Sequence, residues 1–198
     1  MIRIGIIGRI GSGKSYVSKR LGFPVFDADL EVNKIYKKNK KCFIKLKKIF
    51  PNYISSFPIK KTEIAKAILK KKNNIKKINE IVHPEVRSKM KKFLIKNKNE
   101  KIVTMDIPLL IENDLNKKND ILIFVEAEKK KIYKRLKKRP NFNIKILKRL
   151  EKLQLPLNKK KKKSKYIIKN NFKSIKIKKD VRILKSKILK YERSNSRY

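Results

Sequence analysis

The chain has 198 residues and a formal net charge of +43, with 59 lysines and arginines against 16 acidic residues. Hydrophobic residues make up 40% of it, which is enough for a folded core, so the charge does not imply a disordered chain. One cysteine excludes an intrachain disulfide, and no apolar run approaches the ~20 residues that span a bilayer. We therefore expect one soluble domain that acts in the cytoplasm without membrane contact. We also expect a monomer.

Short apolar runs alternate with segments in which apolar residues recur at helical spacing. These patterns predict strands at residues 2–7, 25–26, 102–105, 121–125 and 166–168. They predict helices at 15–21, 30–50 (one or two), 62–81, 85–96, 129–138, 143–153 and 181–191, with a break at His83-Pro84 and a frayed tail over Ser194–Tyr198. The alternation predicts a parallel sheet covered by helices on both faces, a three-layer α/β/α fold.

The first predicted strand leads into Gly8-Arg9-Ile10-Gly11-Ser12-Gly13-Lys14-Ser15. A G-x-x-x-x-G-K-[ST] pattern between a strand and a helix is typical of a P-loop, whose backbone N–H groups and helix end bind phosphate. We expect Lys14 to reach the β- and γ-phosphates of ATP and the Ser15 hydroxyl to coordinate Mg²⁺. The motif predicts an ATP-using phosphotransferase. Because the last glycine is Gly22, no D-x-x-G switch motif can follow, which excludes a regulatory GTPase.

Carboxylates follow two of the predicted strands. Asp27 and Asp29 come after the second strand, and Asp106 ends the third, at the edge where parallel sheets bind ligands. A carboxylate there can accept the proton of an attacking hydroxyl or hold Mg²⁺ through water, and a solvated turn is the alternative explanation.

The motifs occur in an order that resembles the dephospho-CoA kinase family. Six blocks carry the resemblance over nearly all of the chain: the P-loop, Phe26-Asp27-Ala28-Asp29, Asn79-Glu80-Ile81-Val82-His83-Pro84, Asp106-Ile107-Pro108-Leu109-Leu110-Ile111-Glu112, Arg149-Leu150-Glu151-Lys152-Leu153-Gln154 and Tyr166-Ile167-Ile168-Lys169-Asn170. The resemblance implies one P-loop kinase domain over 1–198 with the P-loop NTPase fold. It implies a core at about 1–30, 100–128 and 164–198, a helical acceptor-binding lobe at about 31–99 and a lid at about 129–163.

The resemblance also implies the activity, which is transfer of the ATP γ-phosphate, with Mg²⁺, to the 3′-hydroxyl of dephospho-CoA in the last step of coenzyme A synthesis. It implies that Asp29 is the base, that Lys14 and Arg139 act on the phosphates, and that Asn170 lies beside adenine. The implied acceptor contacts are Asp27, Asp29, His83, Pro108, Leu109 and Glu112. From the residues alone, Arg139 beside a helix break suits a lid, with a plain surface cation as the alternative, whereas His83 is better explained as a helix-cap or packing residue than as an acid or base.

The chain departs from the family pattern at Ile132, which stands where the family has glutamine, at Ser164-Lys165, which replaces an Ala-Asp pair, and at two further residues. Arg9 stands where the family usually has glycine and puts a cation beside the phosphates. Lys61 falls near a usual arginine, and a lysine there loses bidentate phosphate binding if the side chain contacts ligand.

Two alternative functions remain open on the sequence. One is another nucleoside or nucleotide kinase, and the other is a basic RNA-associated protein with a relict P-loop. We interpret the lysines, including the block Lys159–Lys163, as solvated surface, because no aromatic side chains are interleaved with that block for base stacking. We therefore expect no specific nucleic-acid partner and at most non-specific binding of polyanions.

Overall fold

A computed structural model describes residues 1–195, which form five strands and nine helices. The strands are β1 Ile2–Gly8, β2 Val25–Asp27, β3 Ile102–Asp106, β4 Ile121–Glu126 and β5 Tyr166–Lys169. The helices are α1 Lys14–Leu21, α2 Ala28–Lys38, α3 Lys40–Ile49, α4 Lys61–Lys70, α5 Asn74–Lys96, α6 Lys129–Lys137, α7 Ile144–Glu151, α8 Leu157–Lys162 and α9 Ser174–Asn195. The predicted frayed tail lies outside the described residues from 196 onward, and Ser194 belongs to α9.

The chain divides into two compact units. The first comprises residues 1–27, 97–142 and 153–198, and the second comprises residues 28–96 and 143–152. The whole sheet lies in the first unit, whereas the second unit is helical. The functions assigned to the acceptor-binding lobe and to the lid stay predictions.

All five strands of the first unit are parallel, in the order β2-β3-β1-β4-β5. Successive side chains of a strand point to opposite faces, so Ile4 and Ile6 of β1 lie on one face of the sheet. There they pack with buried apolar residues of α1 and α9, among them Val17, Leu21 and Ile188. Full burial of an apolar side chain of this kind contributes about 1.5–3 kcal/mol to the stability of the folded state.

The opposite face of the sheet is covered by different elements. Gly5 of β1 leaves room there for Leu110, which lies in the loop after β3. Arg3 is buried on the same strand, donates to the carbonyl of Leu115 at 2.8 Å and pairs with Asp120 at 3.1 Å. Burial raises the pKa of Asp120 in spite of this cation. With helices on both faces, the predicted three-layer parallel fold is confirmed.

The predicted helix break at His83-Pro84 is wrong. The helices separate earlier, between α4 and α5, and α5 runs without interruption through Pro84. A proline inside a helix removes one backbone hydrogen bond and strains the preceding turn. Pro84 lies on the exposed side of α5, while Ile78 and Val82 are buried in the core of the second unit. This packing outweighs the local preference of proline.

The start of α4 is fixed by a buried carboxylate. Glu63 accepts hydrogen bonds from the backbone N–H of Ser55 at 2.9 Å, from the Ser55 hydroxyl at 2.7 Å and from the backbone N–H of Lys60 at 2.9 Å. Burial acts to raise the pKa of Glu63, but these hydrogen bonds outweigh burial and lower it. The charged form of Glu63 is therefore the form that stabilises the second unit.

Replacing Glu63 with alanine is expected to lower the free energy of unfolding at pH 7 by about 1–3 kcal/mol, because two backbone donors lose their acceptor. A carboxyl group whose pKa is depressed in the folded state stabilises the protein above its unfolded-state pKa. The difference in the free energy of unfolding between the wild-type protein and Glu63→Ala should therefore shrink as the pH falls through the folded-state pKa of Glu63. Urea unfolding at several pH values measures this difference. Glu80→Ala, at an exposed acidic residue of α5, is the control, and an equal loss there contradicts the assignment.

Within residues 1–195, no helix combines the length and the apolar character that crossing a membrane requires.

Candidate active site

The glycine-rich loop joins the end of β1 to the start of α1. The N–H of Ser12 donates to the carbonyl of Arg9 at 3.1 Å, and the N–H groups of Tyr16 and Val17 donate to the carbonyl of Gly13 at 3.1 and 3.2 Å. The loop thus passes directly into the first helical turn. The positive end of the helix dipole lies at this point, and a helix N-terminus of this kind favours an anion such as phosphate.

Two glycines of the loop are required by close contacts. Gly13 has φ 94°, a left-handed conformation, and a Cβ there would overlap the side-chain amide of Asn170. Gly11 has φ 81°, and a Cβ there would lie 2.9 Å from Cγ2 of Ile132 in α6. A side chain at either position would therefore push the loop away from the elements that support it.

The lysine and serine of the motif occupy the first two positions of α1. Lys14 is half-buried, and its Nζ donates to the carbonyls of Arg9 at 3.1 Å and Gly8 at 3.4 Å. Its ammonium group consequently lies against the loop. Ser15 is exposed at the N-terminus of α1. The structure places both side chains at the loop, and their contacts with phosphate and metal stay predictions, as do those of the half-buried Arg9 and Ile10.

The side chain of Asn170 supports the glycine-rich loop through a hydrogen bond. It follows β5, is 5% exposed, and donates from Nδ2 to the carbonyl of Ser12 at 2.8 Å. Its Oδ1 accepts from the backbone N–H of Phe172 at 2.8 Å. Both ends of the side-chain amide are therefore engaged by the protein. The expected position of Asn170 beside adenine stays a prediction.

Two aspartates lie side by side at the carboxyl ends of the strands, the same end of the sheet that carries the glycine-rich loop. Asp27 ends β2 and Asp106 ends β3, and the two residues are directly paired in the parallel register. Asp27 is half-buried, whereas Asp106 is 5% exposed. Carboxylates at the carboxyl end of a parallel sheet lie where such folds bind their ligands.

The loop after β3 carries three of the predicted acceptor contacts. Pro108 and Leu109 are half-buried, and the carbonyl of Pro108 accepts from Nε2 of Gln154 at 3.5 Å. Oε1 of Glu112 accepts from the backbone N–H of Leu155 at 2.9 Å and lies 2.6 Å from Nζ of Lys160. Glu112 is thus engaged by the chain itself.

The interpretation of Lys159–Lys163 as solvated surface is wrong for one of its residues. Lys160 is 1% exposed, because its position in α8 points it at the carboxylate of Glu112, while the other four lysines of the block are exposed. The sequence gives no signal for this difference, since five identical side chains in a row carry no periodicity. Lys160 is the residue of this region that sequence reasoning missed.

Two predicted site residues belong to the second unit. Asp29 is exposed in the first turn of α2, where the helix dipole favours a negative charge. His83 is half-buried in α5, and burial, assisted by the charge of Arg87, lowers its pKa. The imidazole is therefore neutral at pH 7, with one donor and one acceptor nitrogen. Lys61, at the start of α4, is exposed.

The basic residues of the predicted lid differ in their surroundings. Arg139 is exposed in the turn after α6, where its backbone N–H donates to the carbonyl of Leu136 at 3.0 Å. Arg149 in α7 is half-buried, and its guanidinium donates to the carbonyl of Ile68 in α4. Arg149 thereby connects α7 to α4 within the second unit. The action of Arg139 on a phosphoryl group stays a prediction.

The chain is similar in sequence to a family of known proteins. The model of the dephospho-CoA kinase family matches residues 2–176. A dephospho-CoA kinase of Wolbachia sp. subsp. Brugia malayi is 33% identical over 170 residues, which cover 83% of this chain and 87% of the relative. A dephospho-CoA kinase of Zymomonas mobilis is 31% identical over 173 residues, covering 86% of this chain and 88% of the relative.

Among solved structures, a Thermus thermophilus protein superimposes with a TM-score of 0.75 at 28% identity, covering 96% of this chain and 97% of that one. Since the family model spans most of the chain and curated relatives exceed 30% identity over more than four fifths of it, the chain belongs to the dephospho-CoA kinase family and is an ATP-dependent P-loop kinase.

Proposed function

We propose that the protein transfers the γ-phosphate of ATP to the 3′-hydroxyl of dephospho-CoA and so completes the synthesis of coenzyme A. Membership of the family carries this proposal. It is supported by a phosphate loop that keeps Lys14 and Ser15 at the start of α1, with the backbone turns that an anion site requires.

On the donor side, we assign the phosphates of ATP to the backbone N–H groups of residues 8–15 and to the ammonium group of Lys14. The Nζ of Lys14 already lies against the loop through the carbonyls of Gly8 and Arg9. We expect the ammonium group to exchange these acceptors for phosphate oxygens when ATP binds. A fixed positive charge at this place stabilises the negative charge that develops on the transferred group.

The residues at the sheet edge fit a magnesium ion. No group of three or more His, Cys, Asp or Glu side chains is arranged to hold a metal anywhere in the described part of the chain. Mg²⁺ in kinases needs few protein ligands, because phosphate oxygens and water supply most of its shell. We assign the Ser15 hydroxyl and, through water, the Asp106 carboxylate, which are the hard oxygen donors that Mg²⁺ prefers. When bound, the ion neutralises charge on the β- and γ-phosphates.

On the acceptor side, we assign the general base to Asp29. Its carboxylate accepts the proton of the ribose 3′-hydroxyl while that oxygen forms a bond to the γ-phosphorus. The bond from the γ-phosphorus to the bridging oxygen breaks, and its electron pair leaves with ADP. We assign Arg139 to the transferring phosphoryl group, and Asp27, His83, Pro108 and Leu109 to the acceptor.

A coupled assay of ADP release over a panel of acceptors tests the proposed function. We expect turnover with dephospho-CoA and Mg²⁺, and background rates with free nucleosides and nucleoside monophosphates. Chelation of Mg²⁺ should abolish turnover. Preferential phosphorylation of a nucleoside would assign the chain to another nucleotide kinase activity.

We further propose that the protein acts in the cytoplasm as a monomer and that its lysines bind polyanions only non-specifically. The exposed lysines along most helices support a solvated basic surface. Non-specific binding weakens steeply as salt displaces the released counterions. Sedimentation should give the mass of one chain, and tight RNA binding that persists at high salt would contradict the proposal.

A further inference from the structure

Lys160 is the single lysine among the buried residues of the described chain, with 1% of its surface exposed. Burial of an ammonium group is unfavourable unless a charged partner compensates for the lost hydration. Glu112 supplies that partner, since Nζ of Lys160 and Oε1 of Glu112 are 2.6 Å apart and the Glu112 side chain is 9% exposed. A pair so thoroughly removed from water is a built feature of the fold.

The ion pair between Glu112 and Lys160 connects two segments that are far apart in the sequence. Glu112 lies in the loop between β3 and β4, and Lys160 lies in α8, which precedes β5. The same Oε1 of Glu112 also accepts from the N–H of Leu155, and Gln154 reaches the carbonyl of Pro108 from the same segment. Residues 154–160 and 108–112 are therefore joined at three points. We call Glu112 and Lys160 the clasp.

A buried ion pair is poor evidence for stability, because well-packed apolar residues often serve as well. Its geometry, by contrast, is specific: the carboxylate holds one backbone N–H and one ammonium group at the same oxygen. Such a contact fixes where the loop lies. Between the clasp and β3, this loop carries Pro108 and Leu109, which we have assigned to the acceptor.

We propose that the clasp positions the acceptor loop and that Lys160 is a positioning residue for the reaction. On this proposal, Glu112 acts on the acceptor through the loop, without touching it. The proposal rests on the proposed function, because it takes dephospho-CoA as the acceptor that Pro108 and Leu109 contact.

A double-mutant cycle separates the clasp from a direct contact. Lys160→Met leaves a buried carboxylate without its cation, and Glu112→Gln leaves a buried ammonium group with a neutral partner. The combined variant buries no charge, keeps an acceptor for the N–H of Leu155 and fills the space of Lys160 with the flexible Met side chain. Lys162→Met, at an exposed lysine of the same helix, is the matched control.

We expect both single variants to lower the melting temperature and to raise the KM for dephospho-CoA about tenfold, since small displacements of a positioning group have large effects. The KM for ATP should stay unchanged in both. The combined variant should recover the melting temperature and the acceptor KM together, and the control should match the wild-type protein. If Lys160→Met does not fold, Lys160→Gln takes its place in the cycle with the same expectation.

Three outcomes would overturn the proposal. If the combined variant recovers stability while the acceptor KM stays raised wherever Glu112 is replaced, the carboxylate touches the acceptor directly. If stability changes without any change in KM, the clasp is purely structural. If the two substitutions are additive in melting temperature, the pair does not form. The wild-type panel assay tests the proposed function separately, and the melting temperatures do not depend on it.

Discussion

Replacing Lys14 with alanine is expected to lower kcat by about 10²–10³-fold, the usual effect of removing one preorganised charge from a transition state. The reason is the position of its ammonium group, which lies against the phosphate loop at 3.1 Å from the carbonyl of Arg9. Steady-state kinetics with varied ATP and dephospho-CoA measure the effect. The KM for dephospho-CoA should change little, because the residue acts on the donor.

Lys19→Ala is the matched control for this substitution. Lys19 is an exposed lysine on the same helix, so its replacement changes the net charge and the helix composition equally. We expect wild-type kinetics from it. A Lys14→Ala protein that retains a third or more of the wild-type kcat would remove Lys14 from the catalytic machinery.

Replacing Asp29 with asparagine is expected to lower kcat by about 10²–10⁴-fold, as removal of a general base usually does. The substitution keeps the size of the side chain and removes only the group that accepts the proton. Steady-state kinetics at saturating ATP and varied dephospho-CoA measures the effect.

Glu31→Gln controls for the general effect of charge at this helix end. Glu31 lies in the same first turn of α2 as Asp29 and pairs with the exposed Lys34 at 2.6 Å. Both substitutions remove one negative charge near the N-terminus of α2. A loss of activity that the two variants share therefore reflects the charge at this helix end. Full activity of Asp29→Asn would show that another group accepts the proton.

The first strand and the phosphate loop were predictable because their signals are local. The run of β-branched residues in Ile2–Gly8 specifies a buried strand, and the spacing of Gly8, Gly13 and Lys14 specifies the loop that follows. Both depend on residues that are neighbours in sequence. The parallel α/β/α arrangement followed from the alternation of such local elements.

Features that depend on distant partners were not predictable in this way. Pro84 indicates a helix end by itself, yet the buried positions of Ile78 and Val82 carry α5 through it. Lys160 is one lysine in a block of five, and only the carboxylate of Glu112 distinguishes it. The brace from Asn170 to the carbonyl of Ser12 joins residues that are 158 positions apart.

The strand order also determines when the phosphate site can form during synthesis. β1 emerges first from the ribosome, but its neighbours in the sheet are β3 and β4, so it has no strand to pair with until residue 106 is made. Asn170, which supports the loop, is synthesised later still. At about 5–20 residues per second, roughly 8–30 s separate the loop from this support. The nascent chain therefore carries a complete phosphate-binding motif long before it carries a braced phosphate-binding site.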